Sequence, residues 1–539
     1  MRFAAAFALL SSWAASVAGI TVTTSSSSYT INVESSYGFT TVISRSSCDI
    51  TSLKFYNTEY QYSSTASHIA SGLGSATVSY TQSGNNVIVK CVAKNDQFDL
   101  THYMVFVNGE NNIWMGTNIN KEPTVGELRF IFRLTGLTET YPAYSAYGDV
   151  SDTAGGSAVE GSDVYNVNGQ TRSKFYSSER FIDNNVYCAT DSGSVHACWL
   201  RPNSRATEKS SGGPFFRDIN LNWGGSYHSV TYYMNSGHDQ TETYRTGFHG
   251  PYVFAFTRSG IPTPSAYDTS FFDNLGLTGY VGASGRGTVK GTATGVSSNF
   301  PIVVHWYNAN YQAWTYASSS GAFTSPALAA GTYTMKLYQD EFLAATQSVT
   351  VNAGSTVTSN IAANNAILTA ARTTVFRLGD YDGQPTGFLN ADKQLRMHPS
   401  DSRMSNWKPG SVASTATGSW PMAMFKDVNN GQKITFSLSS AISKTATLRI
   451  ATTLSFAGGR PQAQVNGYTC TAPGAPTTID SRGVTRGAYR GWGDVYDCSV
   501  PSGTLVSGTN TVTINVISGS SGTTYLSPNV IFDAIELFY

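Results

Sequence analysis

The segment VGELRFIFRL, residues 125–134, alternates with a period of two: Leu128, Phe130, Phe132 and Leu134 fall on one side of an extended chain, and Glu127, Arg129, Ile131 and Arg133 on the other. Side chains of a strand point alternately to opposite faces, so one face can enter a core while the other meets solvent or ligand. No amphipathic helical run longer than about three turns competes with such patterns. An all-β fold follows. The 31 Tyr and 27 Phe, with abundant Ser, Thr and Gly, suit strands separated by many turns.

A chain of 539 residues is too long for one hydrophobic core. Residues 19–275 carry repeated strand patterns, including SVTYYMNSGHDQTETYRTGFHGPYVFAF (229–256), and predict a large antiparallel sandwich. The pattern resets at FFDNLGLTGYVGASGRG, and residues 276–363 predict a small immunoglobulin-like sandwich with Tyr333, Met335 and Leu337 on one face. Residues 364–539, ending in the apolar VIFDAIELFY, predict a jelly roll of the carbohydrate-binding kind.

Residues 1–18 combine Arg2, an apolar stretch and Ser16-Val17-Ala18, the pattern of a signal peptide cleaved after Ala18. A secreted, extracellular protein is expected, with no membrane span, since no other apolar run reaches the roughly 18 residues needed. The six cysteines fit an oxidising compartment, and proximity along the chain favours Cys48–Cys91, Cys188–Cys198 and Cys470–Cys498. No CxxC is present, which argues against a zinc cluster, and no Asn-x-Ser/Thr sequon occurs. Lys plus Arg equals Asp plus Glu at 34 each, so nucleic acid is not the expected partner, although a local cationic cleft is compatible with zero net charge. Nothing signals oligomerisation, and a monomer is expected.

Neither G-x-S-x-G nor H-E-x-x-H occurs, and His238-Asp239 among many serines is a weak triad pattern. TRSKFYSSERF (171–181) is more distinctive, with four charged side chains in a protein only 13% charged. Read as a strand, it places Arg172, Lys174 and Tyr176 on one face. With Arg129, Arg133, Arg180 and Arg217 this set suits an acidic sugar better than the facing carboxyls a glycosidase needs. It also suits β-elimination, in which a base takes the C5 proton of a uronate, fixed cations stabilise the enolate-like charge, and the C4–O bond breaks. A lysine serves as that base only if burial or adjacent cations lower its pKa. His238 needs no such shift.

TRSKFYSSERF, SSGGPFFRDIN (210–220), YYMNSGHDQTE and FHGPY (248–252) resemble the rhamnogalacturonan lyases of polysaccharide lyase family 4, the fungal secreted type in particular. RLGDYDGQPTGF (377–388), RMHPSDSRM (396–404), TLSFAGGRPQAQVNG (453–467) and DSRGVTRGAYRG (480–491) are similar too, so the resemblance spans nearly the whole mature chain. It implies a catalytic β-sandwich, a fibronectin type III-like domain and a carbohydrate-binding-like jelly roll. The implied activity cleaves the rhamnose-(1→4)-galacturonate bond of rhamnogalacturonan I in pectin and leaves an unsaturated galacturonate. The family's essential lysine and histidine fall at Lys174 and His238, a family arginine at Arg129 and a family tyrosine at Tyr233; a second family tyrosine is here Thr231. On this reading Lys174 is the C5 base and His238 protonates the leaving oxygen, with the reverse assignment open. Arg129, beside Arg133, pairs with the uronate carboxylate, and Tyr233 stacks on a sugar or donates a hydrogen bond.

Arg482, Arg486 and Arg490 recur in a glycine-broken loop, which either closes over the cleft to grip a second galacturonate or stays solvated. The reaction requires no cofactor. Asp380 and Asp382 in DYDGQ are either turn residues or oxygen ligands of a structural calcium ion. The competing functional readings are a non-catalytic pectin-binding wall protein and, third, a pectin glycoside hydrolase.

Overall fold

The computed structural model describes residues 19–69, 72–121, 127–142, 153, 155–161, 163–174, 180–191, 194–202, 212–223, 225–236, 244–393, 397–478, 480–486 and 493–539. The expected cleavage site after Ala18 lies outside them, as do Tyr176, His238 and Arg490.

The alternation in the 125–134 segment is realised in the strand Glu127–Leu134, where Leu128, Phe130, Phe132 and Leu134 are all fully buried. This strand lies inside a four-stranded sheet ordered Leu221–Trp223, His228–Ser236, Glu127–Leu134, His68–Ile69. An eight-stranded antiparallel sheet packs against its apolar face, and Phe132 stacks on Phe254 across the core with centroids 3.6 Å apart. The stretch 229–256 divides between these layers: His228–Ser236 belongs to the smaller sheet and Gly247–Thr257 to the larger. His249 is thereby fully buried, and desolvation keeps its imidazole neutral.

All three disulfides pair as proximity suggested. Cys48–Cys91 ties the N-terminal five-stranded sheet to the eight-stranded one, and Cys188–Cys198 bridges directly opposed residues of one hairpin.

In the middle domain Tyr333, Met335 and Leu337 fill one core with Val289, Trp306 and Phe323, between a four-stranded and a five-stranded sheet. Two further five-stranded sheets form the third domain. Its strand Asn529–Phe538 is interior, lying between Thr374–Gly379 and Ala446–Phe456.

Charges set the joints between domains. Arg217, 1% exposed, places Nη2 2.6 Å from Glu341 Oε1 in the middle domain. Arg180 Nη1 reaches Asp340 at 2.5 Å and Glu341 at 3.3 Å, and Phe215 meets Tyr338 edge to face. Arg180 and Arg217, which by sign of charge alone join Arg129 and Arg133 as candidates to meet an acidic sugar, are therefore interdomain anchors, because the middle domain supplies carboxylates at their tips. Glu341 N also donates to Asp382 O at 2.8 Å, which joins the middle and third domains.

Removing one member of a buried ion pair leaves the other charge uncompensated, at a cost of about 3–5 kcal/mol. Glu341→Gln is expected to destabilise the first two domains by an amount in that range and to lower their thermal unfolding midpoint accordingly. An unchanged midpoint in calorimetry would show that water reaches Arg217.

Candidate active site

The polar face of the four-stranded sheet carries one cluster of candidate residues. Arg129 and Tyr233 are cross-strand partners, and Arg129 Nη1 donates to the Tyr233 hydroxyl at 3.3 Å. The Tyr233 ring is only 1% exposed, covered by Phe181, Phe216 and Trp314. Stacking of Tyr233 on a sugar is thus corrected: the ring is too deeply buried to meet one, and its hydroxyl accepts from the half-buried guanidinium of Arg129.

Arg133 stands four residues further along on the same face and donates through Nη1 to Ala66 O at 2.9 Å. Its Nη1 is also 3.3 Å from His68 Nε2. His68 opposes Ile131 in register and so shares the face of both arginines. Burial drives its pKa down to about 4, and the charges of Arg133 and Arg129 push the same way. His68 is neutral wherever carboxylates are ionised, and sequence reading passed over it. Its signal would have been the strand pairing with Glu127–Leu134, which a two-residue strand in SSTASHIASG does not announce.

The second cluster sits on a three-stranded antiparallel sheet, Ser157–Glu160, Val164–Val167 and Gln170–Ser173. Thr153, just before it, donates its N–H to Trp223 O at the edge of the four-stranded sheet. The strand expected across TRSKFYSSERF ends at Ser173. Thr171 and Ser173 point into a buried seam, and Arg172 and Lys174 are half-buried. Lys174 N donates to Asp163 O at 2.8 Å, and Nζ lies 5.5 Å from the centroid of the Tyr165 ring. Burial lowers the Lys174 pKa from its ordinary value, and the Asp163 carboxylate opposes that shift.

The buried seam belongs to the third domain. Asp401 Oδ2 accepts from both Thr171 N and Thr171 Oγ1 at 2.7 Å, and His398 N donates to Thr171 Oγ1 at 3.0 Å. Arg482 Nη1 lies 3.2 Å from Glu160 Oε1, and Arg486 Nη2 lies 3.1 Å from Asp163 Oδ2. The basic loop is therefore closed onto the sheet that carries Lys174. His398 Nε2 completes the Glu160 site at 3.2 Å. Burial works against the Glu160 charge, but hydrogen bonds from His398 and Thr485 and the charge of Arg482 outweigh it and hold the carboxyl below its ordinary range.

Asp380 pairs with Arg377 at 2.8 Å, and Asp382 is buried against Asp533. Burial pushes the Asp382 carboxyl up to about 7 and raises that of Asp533 as well. Among the described residues no group of three or more His, Cys, Asp or Glu side chains is arranged to hold a metal.

A β-sandwich with a half-buried amine, arginines on an adjoining sheet face, and a third domain latched onto the small sheet that ends at the amine fit one class, the multidomain polysaccharide lyases. Residues 20–279 match the family described as "Rhamnogalacturonan lyase B, N-terminal", residues 285–359 "Polysaccharide lyase family 4, domain II", and residues 374–537 "Polysaccharide lyase family 4, domain III". The chain is 59% identical over 519 residues to rhamnogalacturonate lyase A of Aspergillus aculeatus, with 96% of each chain covered. It is 58% identical over 518 residues to rhamnogalacturonate lyase A of Emericella nidulans, covering 96% of this chain and 95% of that one. The protein belongs to polysaccharide lyase family 4.

Burial opposes the Asp401 charge, but hydrogen bonds from Arg403 and Thr171 outweigh it and hold the carboxyl far below its ordinary pKa. A depressed carboxyl pKa contributes stability above the unfolded value and loses it as pH falls toward the folded one. Asp401→Asn is expected to destabilise the protein by about 2 kcal/mol near neutrality, the scale of a hydrogen bond to a charged group. The difference in unfolding midpoint from wild type should stay constant above about pH 5 and shrink as pH falls below about 4.

Proposed function

We propose that this protein is a secreted endolyase that cleaves the α-L-rhamnose-(1→4)-α-D-galacturonate bond of rhamnogalacturonan I by β-elimination. Identity of 59% to rhamnogalacturonate lyase A of Aspergillus aculeatus over 96% of both chains, joined with the half-buried amine of Lys174, whose pKa burial lowers, carries the reading. Lys174 Nζ takes the C5 proton of the galacturonate. The electron pair of the C5–H bond becomes the C4–C5 double bond, and the C4–O bond breaks toward the rhamnose. His238, two residues beyond the end of the strand that holds Tyr233, returns a proton to that oxygen.

Arg129, braced by Tyr233, offers its fork to the carboxylate, so that negative charge spreading from C5 meets a fixed cation. Arg133 adds a second charge on the same face, and neutral His68 beside it adds hydrogen bonding without competing for a proton. Arg482, one-third exposed, keeps an open side for a neighbouring uronate. The reaction needs no cofactor, and every group named comes from a single chain. Secretion follows from the expected signal peptide. Among the described residues no helix is long and apolar enough to cross a membrane.

Digestion of de-esterified rhamnogalacturonan should raise the ultraviolet absorbance of a 4,5-unsaturated uronate. New reducing ends without that absorbance would identify a hydrolase, and binding without chain shortening a wall-adhesion protein. Lys174→Ala should cut turnover by at least about a hundredfold, the usual worth of a general base, while oligosaccharide binding persists. Normal turnover in that variant would refute the base assignment.

A further inference from the structure

Asp163 and Lys174 are neighbours across the tight antiparallel pairing of Val164 with Ser173, linked by the backbone bond from Lys174 N to Asp163 O. A carboxylate so placed is the natural partner of an ammonium group, and a lysine held in an ion pair is a poor base. Yet among the described residues Lys174 Nζ forms no ion pair, and its close neighbour is the Tyr165 ring. The Asp163 carboxylate is instead taken by Arg486, which reaches in from the third domain and is itself largely buried.

Among the described residues the other carboxylates of this sheet and its seam are also matched. Glu160, on the first strand of the same sheet, is held by Arg482 and His398. Asp401, beneath Thr171, is held by Arg403. Arg172 stands across from Tyr165 on the amine's own strand. Among the described residues Asp163 is thus the acidic group whose occupancy bears most directly on Lys174, and its ion-pair partner is Arg486.

We propose that Arg486 is a positioning residue that acts on the reaction through Asp163: by holding this carboxylate it keeps Lys174 Nζ from being captured as an ion pair and leaves the amine free to take a proton. The third domain thereby controls a base that lies in the first. This inference rests on Lys174 being the base, and goes beyond that reading in assigning the group that keeps it competent. Arg486 was grouped with Arg482 as a grip on a second galacturonate, and the two now separate: Arg482 meets substrate and Arg486 serves the amine.

The test is a double-mutant cycle on Arg486 and Asp163 read through pH–rate profiles with rhamnogalacturonan. Arg486→Gln should move the acid limb of kcat to higher pH by about one unit, since an unshielded opposite charge at this range favours the ammonium form by that order. Near neutrality kcat should fall about tenfold and recover at alkaline pH, with KM little changed. Asp163→Asn should move the limb to lower pH, because Arg486 is then uncompensated beside the amine. The Arg486→Gln/Asp163→Asn double variant should return the limb close to wild type, and Arg486→Lys should preserve it. A raised KM with an unmoved limb would make Arg486 a substrate contact and overturn the proposal. An unmoved limb in both single variants, each folded by circular dichroism, would overturn it as well. Failure of the underlying reading is distinct, because it shows as turnover in Lys174→Ala whatever the cycle gives.

Discussion

A three-stranded sheet of four-residue strands cannot hold itself together. Ser157–Ser173 buries few apolar side chains of its own, chiefly Val164 and Val167, and a small isolated sheet of this kind is marginal in water. Its geometry is imposed from outside by the Asp401 carboxylate on Thr171 and by the arginine loop on Glu160 and Asp163. The amine at the centre of the proposed chemistry stands one residue past the end of that sheet. The placement of Lys174 is therefore a property of two domains, and the third domain is a structural part of the site whatever it contributes to carbohydrate binding.

The same logic governs the other joints. A chain with equal numbers of cations and anions could scatter them over its surface, where each pair is worth under about 1 kcal/mol. Here two pairs lie largely buried at the boundary between the first and middle domains: Arg217 with Glu341 and Arg180 with Asp340. Buried pairs contribute little net stability over apolar packing, but breaking one is costly, so they favour one relative arrangement of the parts they join. On the polar face of the four-stranded sheet the arginines also meet neutral groups, a tyrosine hydroxyl and a histidine.

The sequence was most legible where a single local pattern decided the outcome. The two faces of Glu127–Leu134 differ so sharply in polarity that the choice of core face followed directly, and the face of Tyr333, Met335 and Leu337 was equally plain. Cysteine spacing sufficed for all three disulfides. Legibility failed where the deciding partner is remote. Arg217 and Glu341 are 124 positions apart, so nothing near either separates an anchor from a groove cation. The ring of Tyr233 is covered by Phe181, Phe216 and Trp314 from three other segments, and burial from so many sources leaves no periodic trace. The apolar reading of VIFDAIELFY likewise concealed that Asp533 and Glu536 are buried within it, each made tolerable by partners from the chain near residues 372–383.

Thr171 and the carboxylate that secures it are separated by 230 positions. At a synthesis rate of about 5–20 residues per second, the lysine-bearing strands leave the ribosome on the order of ten to fifty seconds before their anchor exists. During that interval they are short, polar and interrupted by charge, features that make a free strand edge a poor template for pairing with another chain. The composition that makes this element dependent on a distant domain also lets the nascent chain wait for that domain without aggregating.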